Sequence, residues 1–289
     1  MDLKSMVLLS RLVSIAASIA TLCTLCACTG MFFYPETSLI LTPADVKLPY
    51  QDLRLTNTDG TNLQAWYLAA LGQAHGTVLY LHGNAQNMSY HLPAVAWLPA
   101  EGYNVMLLDY RGYGNSSGTP SIAGAISDIE TALEYLSKRT RVDHTPLIVL
   151  GQSLGGALAI RAVACSKYRQ QIHALVVDSA FSDYRQITRE KLNSSWLLYP
   201  FSWPLSLLID NTNRPLDFVA QISPIPLLLI HGDQDSVVSL NHSAALLSAA
   251  KEPKQLWLAA GTGHTQALAQ PLWRAKLLRY LQDKLSPAL

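Results

Sequence analysis

Pro146-Leu147-Ile148-Val149-Leu150-Gly151-Gln152-Ser153-Leu154-Gly155-Gly156-Ala157 is an apolar, β-branched run that ends in Gly-x-Ser-x-Gly and continues as an alanine-rich helical pattern to Cys165. A strand that turns this sharply into a helix forms a nucleophile elbow. Its serine is held in a strained backbone conformation with the hydroxyl projecting into a cleft. Side chains two residues before and after would crowd the turn, so both positions are glycine. Gly156 lets the helix approach the sheet closely. In a loop the same five residues would be a cluster of small side chains; the strand before and the helix after give the motif its meaning.

Outward from the elbow, short apolar runs alternate with longer helical patterns. Residues 50–56 and 62–69 alternate in polarity around Asp59-Gly60 and read as an antiparallel hairpin. Further strands are expected at 77–81, 104–108, 147–150, 174–177, 227–230 and 255–258, and helices at 94–101, 122–139, 154–165, 239–250 and 273–285. Strands interleaved with helices imply a mostly parallel eight-stranded sheet with helices on both faces. Two antiparallel strands followed by six in alternation, with the serine after the fifth, is an order that resembles the α/β-hydrolase fold. Ligands of such sheets bind at the carboxyl ends of the strands, where each motif below is placed.

A serine hydroxyl near neutral pH needs a base to take its proton, and that base needs a carboxylate to fix its tautomer. On this fold the chain order is serine, acid, histidine. The loop after the seventh strand is His231-Gly232-Asp233-Gln234-Asp235, and the loop after the eighth is Gly261-Thr262-Gly263-His264. Of the eight histidines only His264 follows the last strand. His82 and His231 precede glycines at strand ends and read as turn stabilisers, and His75, His91, His144, His173 and His242 as surface or satisfied residues. Three carboxylates compete for the acid: Asp235, Asp233, and Asp178 at the end of the sixth strand, where a supporting hydrogen-bonded role is the alternative. The oxyanion of an acyl-transfer intermediate needs fixed N–H donors. These are assigned to Leu154, directly after the serine, and to Asn84 in the loop His82-Gly83-Asn84-Ala85 after the third strand.

Leu81-His82-Gly83-Asn84-Ala85-Gln86-Asn87, Asp109-Tyr110-Arg111-Gly112-Tyr113-Gly114-Asn115-Ser116, the elbow and His231-Gly232-Asp233-Gln234-Asp235 together resemble a subgroup of the α/β-hydrolase superfamily. That subgroup includes membrane-associated bacterial hydrolases and eukaryotic α/β-hydrolase-domain proteins, some of them protein depalmitoylases. The resemblance spans residues 34–289. It implies a serine hydrolase acting on an ester or thioester, and it selects Asp235, the last residue of the His-Gly-x-x-Asp loop, as the acid. The catalytic set is then Ser153, Asp235 and His264. The serine at the elbow excludes the branch that attacks with aspartate there.

No cofactor is expected. The glycines after Asp109 lack dinucleotide and P-loop spacing and read as a tight turn flanking the site, and no His or carboxylate pair has zinc spacing. A net charge of +1, with 14% charged residues, argues against a nucleic-acid partner. Between the sixth and seventh strands, residues 183–222 form an insertion of the kind that builds a small cap. Trp196, Leu197, Leu198, Tyr199, Phe201 and Trp203 make it apolar, while Pro200, Pro204 and Pro215 break it into short helical pieces. It reads either as a lid whose inner face accepts an acyl chain or as an ordinary helix covering the sheet.

Hydrophobic residues reach 49%. Part of the excess is N-terminal, where Lys4 and Arg11 precede the uncharged run 12–27. Leu25-Cys26-Ala27-Cys28 resembles a bacterial lipoprotein signal with Cys28 as the acylated residue. The alternative is an uncleaved anchor from about Met6 to Cys28, a stretch long enough to cross a bilayer. Residues 1–28 are therefore assigned to a signal or anchor and 29–289 to the hydrolase domain, membrane-anchored in the cell envelope and facing the periplasm. Residues 31–35 form an aromatic patch expected to pack on the domain, and Cys165 is expected in the core. The expected partner is a small-molecule or lipid-like ester or thioester. Two other readings are a catalytically silent fold serving as an envelope binding or scaffold protein, and a serine peptidase.

Overall fold

The structure, a computed structural model, describes residues 31–285. The run 12–27 and Cys28, and with them the expected signal or anchor, lie outside the described residues. Among the described residues no helix is long and apolar enough to cross a membrane.

Eight strands form one sheet: β1 (Tyr50–Thr56), β2 (Asn62–Leu68), β3 (Gly76–Leu81), β4 (Tyr103–Leu108), β5 (Leu147–Gln152), β6 (Ile172–Asp178), β7 (Leu227–Gly232) and β8 (Lys254–Ala259). Their order across the sheet is β1-β2-β4-β3-β5-β6-β7-β8. β2 runs antiparallel to β1 and β4, and every other pairing is parallel. Central strands are buried on both faces, which is why they read as continuous apolar runs. In β3, Leu79 and Leu81 face one layer while Val78 and Tyr80 face the other.

The first layer is covered by α2 (Ile122–Asp143), α3 (Leu154–Cys165) and α7 (Leu240–Ala249), and the second by α1 (Met88–Val95) and α8 (Pro271–Leu285). Between β6 and β7 the chain forms α4 (Tyr184–Asn193), α5 (Ser202–Leu207) and α6 (Pro215–Phe218). Asp183 caps α4 by accepting from the Gln186 N–H, and Asn211 and Arg214 hold its other oxygen. The strand order reverses at β3: β4 lies on one side of it and β5 on the other. The loops that leave the carboxyl ends of β3 and β5 therefore flank one crevice.

Four local expectations are corrected. The helix expected at 94–101 lies upstream as α1, followed by a separate 3-10 turn at Leu98–Glu101. Asn87 caps α1 through the Ser89 N–H and Asp109 accepts from the Met88 N–H, so the helix starts before Pro93 and tolerates it, while Pro99 opens the next turn. Cys165 is exposed, not core. It lies one helical turn beyond Arg161, on the outer side of α3. The patch at 31–35 is divided: Phe33 is buried against Tyr113, whereas Met31 and Tyr34 are exposed. Finally, the apolar side chains of 196–208 neither line an inner lid face nor cover the sheet. Trp196, Leu197, Tyr199, Phe201 and Trp203 point to solvent, because the short proline-bounded helices seat Ser202, Ser206 and Ile209 inward instead.

Candidate active site

Ser153 occupies the turn between β5 and α3 with φ 53° and ψ −118°, a strained conformation for a residue with a side chain. A Cβ on Gly151 would come within 2.6 Å of the Gly155 carbonyl oxygen, and one on Gly155 would collide with the Leu81 and His82 carbonyls at the end of β3. The elbow is thus packed backbone to backbone against the strand that leads into the Asn84 loop.

Three side chains from three loops meet at the hydroxyl. His264 Nε2 lies 3.0 Å from Ser153 Oγ, and His264 Nδ1 lies 2.8 Å from Asp235 Oδ2. The carboxylate accepts the Nδ1 hydrogen, which leaves the Nε2 lone pair to accept from the serine. Asp235 Oδ1 accepts from the N–H groups of Val237 and Val238 at 2.8 and 2.9 Å. Burial pushes this carboxyl up, but the His264 hydrogen bond, the two backbone donors and the imidazole charge outweigh it and hold it at about 2. A hydroxyl so placed can pass its proton to an imidazole whose tautomer is set from behind.

The other carboxylates are elsewhere. Asp233 Oδ1 accepts from the Gly261 N–H at 2.8 Å and so clamps the β7 and β8 loops together. Asp178 does not reach His264: Gln152 Nε2 donates to its Oδ2 at 2.9 Å and Ser179 Oγ to its Oδ1 at 3.1 Å. His231, buried beneath this loop, bonds Ser243 and the Val238 carbonyl.

The family of these motifs follows from comparison. The sequence pattern of the family described as serine aminopeptidase, S33, matches residues 72–202. The uncharacterized protein YfhR of Escherichia coli O157:H7 is 35% identical over 265 residues, covering 89% of this chain and 88% of its own. The α/β-hydrolase domain-containing protein WAV2 of Arabidopsis thaliana is 32% identical over 230 residues, 74% of this chain and 71% of that protein. The chain belongs to the α/β-hydrolase superfamily. Among solved structures, the Pyrococcus furiosus esterase Pf2001 shares the α/β-hydrolase fold with a TM-score of 0.72 at 24% identity, over 88% of this chain and 99% of that one.

In this α/β-hydrolase the crevice opens into a cavity of about 280 Å³ lined by Asn84, Ser153 and Leu154 at its floor, by Met31, Phe32 and Phe181, and by Ile187, Lys191 and Leu192 of α4. Among the described residues, Lys191 is the one charged side chain of that lining. The Leu154 N–H stands at the first position of α3, where the helix supplies no acceptor. The Asn84 loop is held from several sides. The Asn84 carbonyl accepts from the Tyr34 N–H at 2.8 Å and from the Tyr113 hydroxyl at 2.6 Å. His91 Nε2 donates to the Ala85 carbonyl at 3.0 Å, and the His91 ring stacks on His82. Burial, reinforced by the neighbouring His82, lowers His91 to about 4, so it holds the loop as a neutral imidazole. No group of three or more His, Cys, Asp or Glu side chains among the described residues is arranged to hold a metal ion.

Two positioning residues of the hydrolase escaped the sequence reading. Gln152 receives the Tyr80 hydroxyl on Oε1 while donating to Asp178 and to the Thr265 carbonyl, and Ser179 Oγ accepts from the Thr265 N–H. Thr265 is left-handed, at φ 55°, so the residue after His264 is pinned at both backbone groups. Only the polarity of Gln152 at the end of a buried strand could have signalled this. Asp178 lies fully buried in the network, and burial together with the Asp235 charge lifts it to about 6. The folded state therefore binds this proton more tightly than the unfolded chain, and the carboxyl's contribution to stability falls as pH rises from about 4 to about 6. Relative to the wild type, Asp178→Asn is expected to gain on the order of 3 kcal/mol of unfolding free energy between pH 4 and 7. Denaturant melts across that range measure it; a difference that does not change with pH would contradict the shifted carboxyl.

Proposed function

We propose that this protein is a serine hydrolase that cleaves a carboxylic ester or thioester through an acyl-enzyme. Ser153 Oγ attacks the acyl carbonyl as its proton moves to His264 Nε2, and Asp235 stabilises the resulting imidazolium. The carbonyl oxygen, now negative, is received by the N–H groups of Asn84 and Leu154. Collapse expels the alkoxide or thiolate, which takes the proton from His264. Water, deprotonated by the same nitrogen, then attacks the acyl-serine and releases the acid. The observation that carries this reading is the unbroken hydrogen-bonded line from Ser153 through His264 to Asp235, opening onto an apolar cavity.

The matched family's description favours a second reading, a serine peptidase acting at a free amino terminus. The cavity lining argues for the ester. Among the described residues it contains no carboxylate to hold an ammonium group, and Lys191, the one charge they bring to it, would repel that group. Lys191 suits a substrate with an anionic group beyond the acyl chain. We also infer attachment to the cell envelope through residues 1–28, by acylation of Cys28 or by an intact anchor, on the strength of the uncharged run 12–27. Mass spectrometry of the mature N-terminus distinguishes the two.

The test is a fluorophosphonate probe followed by peptide mass spectrometry. One adduct, on Ser153, is expected, and its formation should be blocked by a competing short-chain ester. A catalytically silent scaffold would stay unlabelled, and a panel of matched amides and esters would expose a peptidase.

A further inference from the structure

From Asn193 to Ile209 no residue is charged, and Trp196, Leu197, Tyr199, Phe201, Trp203 and Leu207 stand exposed, Trp196 at 88%. So large a set of outward apolar side chains marks an interaction surface. It begins where α4 ends, and Lys191 and Leu192 at that end line the Ser153 cavity together with Met31. Patch, cavity and the first described residue are therefore neighbours.

We propose that this face docks on a lipid bilayer bearing anionic headgroups, so that an acyl chain passes from the membrane into the Ser153 cavity without crossing water. Three observations favour a bilayer over a protein partner. Cys28, the end of the apolar N-terminal run, is three peptide steps from Met31, a reach of at most about 11 Å, so a membrane-bound N-terminus holds the cavity at the headgroup level. Tryptophan and tyrosine among aliphatic side chains are the residues that settle at a membrane interface. The bordering helix α4 carries Arg185, Arg189 and Lys191 against Glu190, which is already engaged by His242 and Gln186. That rim is complementary to anionic headgroups. Delivery of substrate rests on the hydrolase reading above; the docking itself is tested without it.

The full chain is reconstituted into vesicles of phosphatidylcholine and phosphatidylglycerol, with or without bromine on the acyl chains. Tryptophan emission of the wild type should be quenched by the brominated lipid, and Trp196→Phe/Trp203→Phe, which keeps the face apolar, should lose at least half of that quenching. Equal quenching in both proteins, or none in the wild type, overturns the proposal. The second result is what a second copy of the chain, or the run 12–27 folded over the face, would give. As a further arm, Trp196→Glu/Trp203→Glu should hydrolyse a dispersed short-chain ester within twofold of the wild type and a long-chain ester embedded in vesicles at least tenfold more slowly. Undiminished action on the embedded ester also overturns the docking. A wild type inert toward both esters sinks the hydrolase reading alone, since the quenching still decides the docking.

Discussion

Ser153→Ala is expected to lower kcat on a chromogenic short-chain ester by about 10⁴- to 10⁶-fold, with unfolding free energy within about 1 kcal/mol of the wild type. The size follows from the geometry. The only atom removed is the Oγ that meets His264 Nε2, while alanine keeps the Cβ and thus the same steric demand at φ 53°. The hydrogen bond lost is only partly buried and leaves the His264 Nε2 lone pair, not a donor, without its partner at the cavity. What remains is the cavity and the two N–H donors, which can hold a substrate but offer it no nucleophile. Retained turnover in a protein of unchanged circular dichroism would remove Ser153 from the reaction.

Asp235→Asn is expected to cost about 10⁴-fold in kcat while leaving the cavity intact. The amide oxygen would stay with its two backbone donors at Val237 and Val238, which turns the amide nitrogen toward His264 Nδ1. That nitrogen donates, so the imidazole must present a lone pair at Nδ1 and carry its hydrogen at Nε2, facing the serine it should deprotonate. The variant therefore binds and does not react. Asp233→Asn is the control: its oxygen clamps the Gly261 N–H, which an amide oxygen also does, and turnover should stay within about tenfold. If the two substitutions act alike, the acid has been misassigned. Because Asp235 sits at about 2, its stabilising contribution is present above pH 4 and lost only as pH falls toward 2. Its titration plays no part in the neutral pH profile.

What was legible in the chain was whatever a local pattern dictates. The central strands could be read because burial on both faces makes each an unbroken apolar run, the hairpin because it alternates in polarity, and the elbow because an apolar strand, two spaced glycines and a helical pattern follow one another directly in the chain. Topology offered Ser153, His264 and three carboxylates at strand ends, and the choice of Asp235 among the three came from the resemblance of its His-Gly-x-x-Asp loop. Contacts between distant positions were not legible. Nothing near His91 announces the Ala85 carbonyl or the ring of His82, and nothing near Gln152 announces Tyr80, Asp178 and Thr265. His242 is of the same kind: buried on α7, it bonds Ser182 and Glu190 and so ties that helix to α4. The start of α1 was missed because its cap depends partly on Asp109, at the end of another strand. The exposed face of 193–209 inverted the usual inference, since composition alone assigns such residues to an interior.

Tyr34–Pro35 pairs in parallel with Ala85–Gln86, and the Tyr34 N–H meets the Asn84 carbonyl. The strap that leads in from the N-terminus is thereby stitched to the loop assigned to receive the oxyanion. A proteolytic nick just after residue 35 would be felt at that loop before it reached the sheet. Any shortened form of the protein has to begin upstream of Tyr34 to keep the stitch.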